Sequence, residues 1–249
     1  MRLRVCYNGH IMEDNYNLAN QEVVGYIKTQ IFPRYSAANG HGLDHIKNVI
    51  ARSLDFAKRI NSGDIKTAAK DFKNLPKELK PTKKQKVNYD MCFVVAAFHD
   101  LGRDKNNELH HLVSAGYLLT DDFMAEHFTR DQIRVMADAV MDHRASNEID
   151  PITIYGCIVS SADRDTDCHD IMRRAYAYNR SLHPDYTEDE SIKETCERIC
   201  KKFAGKDAYV TSKMYFENPA FEAMLAKFTE LSKDPELFHA EIKKSLALK

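Results

Sequence analysis

The sequence predicts an all-α fold, and three observations carry the prediction. Glycine and proline are scarce, at 9 and 7 of 249 residues, too few for the many turns of an all-β chain. Apolar residues recur at three- and four-residue spacing along most of the chain, with no strand-like alternation of useful length. Helix-start signals precede several of these stripes, among them capping-box sequences at Thr129-Arg130-Asp131-Gln132 and Thr187-Glu188-Asp189-Glu190.

Taken in order, the first helix is expected over about 13–32, stopped by Pro33. A loop, PRYSAANGHG, leads to LDHIKNVIARSLDFAKRI, where Ile46, Val49, Ile50, Ser53, Ala57 and Ile60 share a face and Gly63 supplies a stop. From Asp64 to Lys86 eight Lys face three acids, with Pro76 and Pro81 and little periodicity, which reads as a surface insertion with a short helix around Lys66 to Phe72. An apolar helix from Asn88 to Asp100 contains MCFVVAAF and ends at Leu101-Gly102; another runs from about Asn107 to Thr120. The capping box at Thr129 opens a helix carrying Ile133, Met136, Ala137, Val140 and Met141. Asp150-Pro151 reads as N-cap and first-turn proline of a helix through Ile152, Tyr155, Val159 and Ala162. The run Arg174 to Tyr178 reads as a packed helix face. Helices from Thr187, over Pro219 to Ser232 and from Pro235 onward complete the chain. We expect one domain over 1–249, with a motif-bearing core at about 40–165 and a helical extension over 166–249.

Composition narrows the function. With 36 Lys+Arg against 37 Asp+Glu the net charge is −1, which lacks the basic field that non-specific nucleic-acid binding needs. No run approaches the ~18 consecutive apolar residues of a membrane-spanning helix, and the N-terminus has no signal-peptide core. The six cysteines form no zinc-ribbon pattern; Cys196 and Cys200, four apart, read as a buried helix face. The expected compartment is the cytoplasm. Phosphate-binding loops of the Gly-x-x-x-x-Gly-Lys and Gly-x-Gly-x-x-Gly types are absent, as is the Gly-x-Ser-x-Gly elbow of serine hydrolases.

The informative residues are ionisable groups at the ends of apolar helices. His99-Asp100 closes the most apolar one, where burying a carboxylate costs several kcal/mol unless a cation or strong donors meet it. His45 stands on the first turn of an amphipathic helix, at the edge of its apolar stripe. His110 and His111 open a helix, His143 follows Val140 by three residues, and Asp163 follows Val159 by four. Two or three imidazoles with two carboxylates suit Mn, Fe, Co, Ni or Zn, and Mg less well.

These residues together resemble the HD superfamily of metal-dependent phosphohydrolases. The family's His, His-Asp and Asp positions match His45 in HGLDHIKNV, His99 and Asp100 in AAFHDLGRD, and Asp163 in VSSADRDTD. The resemblance covers about residues 40–165 and implies a helical domain holding one or two divalent ions. Further family histidines would fall at His110, with His111 the fallback, and at His143, although this chain has Asp142-His143 where fuller sites carry His-His. It also has His-Asp-Leu-Gly-Arg where many members have His-Asp-Ile-Gly-Lys. The resemblance implies metal ligation by His45, His99, Asp100 and Asp163, and Asp100 also as partner to an activated water. Arg103 is the first choice for a phosphate-binding fork, with Arg144 and Arg164 behind it. His110 and His143 would protonate a leaving group, position phosphate or hold a second ion. The expected substrate is a nucleotide or another small phosphate ester. The rivals are a di-iron oxygenase and a nucleotide- or metal-binding regulatory module; a nuclease is the weakest. Neither the Glu-Asp pair of guanosine-tetraphosphate hydrolases nor the Gly-Tyr-Pro signature of cyclic-dinucleotide enzymes is present.

Overall fold

Helices supply all the regular structure among the described residues. A computed structural model describes residues 14–35, 42–64, 86–204, 208 and 214–247, and among them there are eleven α-helices and no strand. The Lys-rich insertion lies almost wholly outside the described residues. The chain divides after Asp163 into two compact units.

In the first unit the stretch expected as a single helix is four short pieces. A 3-10 turn, Asp14–Leu18, precedes α1 (Gln21–Tyr26), which starts afresh because the Asn20 side chain accepts the Glu22 N–H. A π turn, Ile27–Ile31, and a 3-10 turn, Phe32–Arg34, follow. Pro33 does not end a helix here; it sits at the start of the 3-10 turn, where its missing N–H costs nothing.

Helix α2 (Leu43–Ser62) buries Ile46, Val49, Ile50, Ser53 and Ala57 of the predicted stripe, together with Leu54 and Phe56, while Ile60 stays half-buried. Gly63, at φ +84°, ends it in a left-handed turn: the Gly63 N–H reaches the Ile60 carbonyl at 3.2 Å and Asp64 N–H reaches Arg59 at 2.9 Å. Two residues earlier, Asn61 clasps Val87 by accepting its N–H at 2.8 Å and donating to its carbonyl at 3.0 Å.

Helix α3 (Tyr89–Phe98) is capped by Asn88, whose side chain accepts from the Asp90 and Met91 N–H groups. Every residue from Met91 to Asp100 is buried. Packed against α2, α6 (Arg130–Asp142) and α7 (Ile154–Ala162), α3 is the centre of the unit. Phe93 and Phe98 alone contribute about 1.5–3 kcal/mol each by leaving water. Helix α4 (His110–Leu119) packs on α6. A six-residue helix, α5 (Asp122–His127), follows an Asp121 cap; it is too short for periodicity to reveal. The Thr129 capping box forms in full, with both reciprocal bonds. The cap of α7 is Thr153 rather than Asp150, because the Thr153 hydroxyl accepts the Gly156 N–H at 2.9 Å. Pro151 therefore lies outside the helix, against the open face of Gly156.

The second unit holds α8 (Cys168–Leu182), α9 (Glu188–Phe203), α10 (Pro219–Leu231) and α11 (Pro235–Ala247). Asp167 caps α8, and the Thr187 box caps α9. Buried Asn179 on α8 ties α9 down, donating to Thr195 at 3.0 Å and accepting from Arg198 at 2.7 Å. Tyr178 departs from the packed face expected for its run: it is exposed, with the Arg198 guanidinium 4.7 Å above its ring. Cys196 and Cys200 are half-buried. Among the described residues, no helix is long and apolar enough to cross a membrane.

Candidate metal centre

The ends of α3, α6 and α7 and the starts of α2 and α4 deliver six side chains to one place. His45 comes from the first turn of α2, His99 and Asp100 from the exit of α3, His110 from the start of α4, His143 from the exit of α6, and Asp163 from the exit of α7. Helix ends are where the backbone leaves the i→i−4 ladder, so adjacent residues such as His99 and Asp100 can turn toward one point.

Three of the imidazoles are oriented by the same device. The Nδ1 of His99 lies 2.8 Å from the Ala96 carbonyl, that of His110 lies 2.8 Å from Asn107, and that of His143 lies 2.6 Å from Val140. Each ring thus donates Nδ1–H to the carbonyl three residues back, which fixes the tautomer and turns the Nε2 lone pair inward.

Asp100 occupies the middle and is buried. Its Oδ2 is 3.5 Å from His99 Nε2 and 3.7 Å from His45 Nε2, while Oδ1 is 3.1 Å from His110 Nε2 and 3.6 Å from His143 Nε2. Asp163 Oδ1 completes the first side, 3.2 Å from His45 Nε2 and 3.8 Å from His99 Nε2. Two donor groups therefore share one carboxylate: His45, His99 and Asp100, and Asp100, His110 and His143.

The shorter of these spacings, 3.1 and 3.2 Å, match ligands of a common ion, and the others, at 3.5, 3.6, 3.7 and 3.8 Å, stand slightly wide of it. Two donors each about 2.1 Å from a metal stand about 3.0–3.4 Å apart at octahedral or tetrahedral angles. The electrostatics agree. Burial depresses His45 and His143 to about 4, against the upward pull of the neighbouring Asp163 and Asp100. Near neutral pH both rings are uncharged, so nitrogen lone pairs and carboxylate oxygens converge, an arrangement that favours a cation between them. Among the described residues the fully buried Nε2 of His99 has no hydrogen-bond partner, its nearest carboxylate oxygens standing 3.5 and 3.8 Å away. The cluster can hold a divalent metal.

Arg103 adjoins it, with Nε 2.7 Å from Asp100 Oδ2 and Nη1 donating to Asn107 at 2.9 Å. This pairing supplies one positive charge to a buried carboxylate. His111 is not in the cluster: it turns toward Arg144, 3.4 Å away, and burial, then Arg144 and His110, hold it at about 4. Arg144 also donates to the Glu108 carbonyl, and Arg164 is buried in the second unit. Among the other histidines, His127 faces Glu22, His239 faces Asp189, and His169 bonds Ser245.

Two supporting groups escaped the sequence reading. Ser114, buried on α4, accepts the Gly102 N–H at 2.8 Å and ties the exit of α3 to α4. Tyr35 donates its hydroxyl to the Ala97 carbonyl at 2.6 Å. Nothing in their spacing distinguishes either from ordinary packing residues. Comparison with family models, curated proteins and solved structures yields no match for this chain.

Proposed function

We propose that this protein is a metal-dependent phosphohydrolase of the HD superfamily, cleaving a phosphate ester of a nucleotide or other small molecule. The observation that carries the reading is the buried convergence of His45, His99, Asp100 and Asp163 from three separate helices. Four ionisable groups gathered in a core cost several kcal/mol without a compensating cation. A divalent ion held by them would lower the pKa of a water and polarise a phosphoryl oxygen.

The chain's own residues supply the rest. Hydrolysis makes a P–O bond to water and breaks the P–O bond to the leaving group. Asp100, which reaches both donor groups, is placed to accept the water's proton. The Nη2 group of Arg103, which neither Asp100 nor Asn107 engages, is the part of the guanidinium that would meet a phosphate oxygen. His143, neutral near pH 7, offers a lone pair rather than a proton, so with His110 it serves as a second ligand pair or positions the phosphate. That second donor group supports one rival, a di-iron oxygenase.

The test is metal content followed by turnover. Protein reconstituted with Mn or Fe is desalted and analysed by elemental mass spectrometry, with Asp100→Ala alongside, then offered p-nitrophenyl phosphate and a nucleotide panel. One metal per chain, lost in the variant, with phosphate release supports hydrolysis. Two irons per chain and no phosphate release would move the assignment to the oxygenase. An absence of metal in both proteins sinks the catalytic reading.

A further inference from the structure

The exit of α3 has to be held rigidly, because His99 and Asp100 are consecutive and must both face inward. A helix end leaves its last carbonyls without intrahelical donors, and a buried one needs them met from elsewhere. Here the accounting is explicit. Ala96 receives His99 Nδ1–H at 2.8 Å. The Leu101 N–H, which a continuing helix would give to Ala97, turns instead to Phe98 at 3.0 Å, and the Arg103 N–H goes to Asp100 at 3.1 Å. That leaves the Ala97 carbonyl, and Tyr35 Oη–H fills the place at 2.6 Å from 62 residues upstream. One hydroxyl thus meets the penultimate carbonyl of the helix, two residues before His99.

The approach to Tyr35 is built irregularly. The π turn Ile27–Ile31 and the 3-10 turn Phe32–Arg34 replace what would be a continuous helix and deliver Tyr35 in extended conformation, at ψ 116°. Beside it, the Arg34 guanidinium stacks 4.5 Å over Tyr117 of α4, the helix that carries His110. π turns inside helices concentrate at functional sites, where they re-aim a side chain. Tyr26, nine residues earlier, supplies the contrast: its hydroxyl donates to the carboxylate of Asp121, which belongs to neither donor group, at 2.6 Å.

We propose that Tyr35 is a positioning residue for the metal centre, its hydroxyl locking the helix exit that aims His99 and Asp100. The inference rests on the metal-centre reading, and extends it to a residue that touches no ligand atom of the ion. Groups that orient ligands in this way typically carry a 10–100-fold share of metal affinity.

The test uses the full-length protein and Co(II) alone as probe, read by its visible absorption and by chelator competition. Tyr35→Phe removes one oxygen; Tyr26→Phe removes the same atom from the same segment. The expected result is a roughly 10–100-fold weaker Co(II) affinity and an altered spectrum for Tyr35→Phe, with Tyr26→Phe at the wild-type value. Co(II) binding by Tyr35→Phe within threefold of wild type, with an unchanged spectrum, would overturn the inference and leave the metal centre standing. So would equal losses in both variants, which would mark general loosening. Wild-type protein that binds no Co(II) would bring down the metal reading and this inference with it.

Discussion

Replacing Gly102 with alanine probes the join between the His-Asp helix exit and α4. A Cβ built there would lie 2.6 Å from the His110 carbonyl oxygen, 2.7 Å from Val113 Cβ and 2.9 Å from the Ser114 nitrogen. Two of these are backbone atoms that no rotamer change can move. Carbon contacts relax to about 3.5–4.0 Å, so the first turn of α4 must retreat by about 1 Å. That turn carries His110, whose Nε2 stands 3.1 Å from Asp100 Oδ1, and the retreat also stretches the Gly102–Ser114 bond of 2.8 Å. Overpacking of this kind costs about 1–3 kcal/mol. At about 2–4 °C per kcal/mol for a chain of this size, the metal-free Tm falls by roughly 2–12 °C. The assay is thermal unfolding by circular dichroism, paired with chelator competition for metal affinity. Gly116→Ala is the control, since a Cβ there meets nothing within 4 Å on the same helix; it is expected to be neutral or stabilising by up to about 1 kcal/mol. If Gly102→Ala keeps the wild-type Tm within about 1 °C, the close approach described above is wrong.

Two further outcomes follow from the ionisable groups. His45, His111 and His143 are held at about 4 when folded, against an ordinary value of 6.5. Below that ordinary value the unfolded chain takes up protons that the folded chain refuses, so stability present above about pH 6.5 drains away as pH falls toward 4. The metal-free Tm is expected to drop between pH 6.5 and 5, where carboxylates of usual pKa remain ionised; a flat profile over that window contradicts the assignment. Burial pushes the Cys92 thiol well up and holds Cys196 at about 11. Iodoacetamide at pH 8 is expected to spare Cys92 in the native protein and to label Cys196 on the order of 100-fold more slowly than a free thiol, since only the thiolate reacts. Mass-spectrometric mapping checks both, and prompt labelling of Cys92 tells against its burial.

The fold class was legible because apolar spacing survives in every long helix, and the Thr129 and Thr187 boxes form as their sequences indicate. The metal candidates were legible for a related reason. An imidazole or carboxylate at the end of an apolar stripe, as at His99, Asp100, His143 and Asp163, has to be placed by the same packing that buries the stripe. Local detail was less visible. Asp150-Pro151 and Thr153 both resemble helix starts, and the choice falls to Thr153 because Pro151 packs on Gly156. The π turn after α1 depends on where Tyr35 must arrive, a demand set by α3, 62 residues away. At the start of α4 the preferred His110 reaches Asp100, while the fallback His111 turns to Arg144.

The clasp between Asn61 and Val87 has a consequence of a different kind. With α2 closed by its own left-handed cap at Gly63 and the returning strand of chain pinned two residues before that stop, the two borders of the Lys-rich insertion are fastened to each other. Whatever is spliced between them does not have to hold the scaffold together. That makes this junction a natural port for modular exchange: a peptide tag, a reporter domain or a shortened linker can be housed there with the helices that carry the histidines left undisturbed.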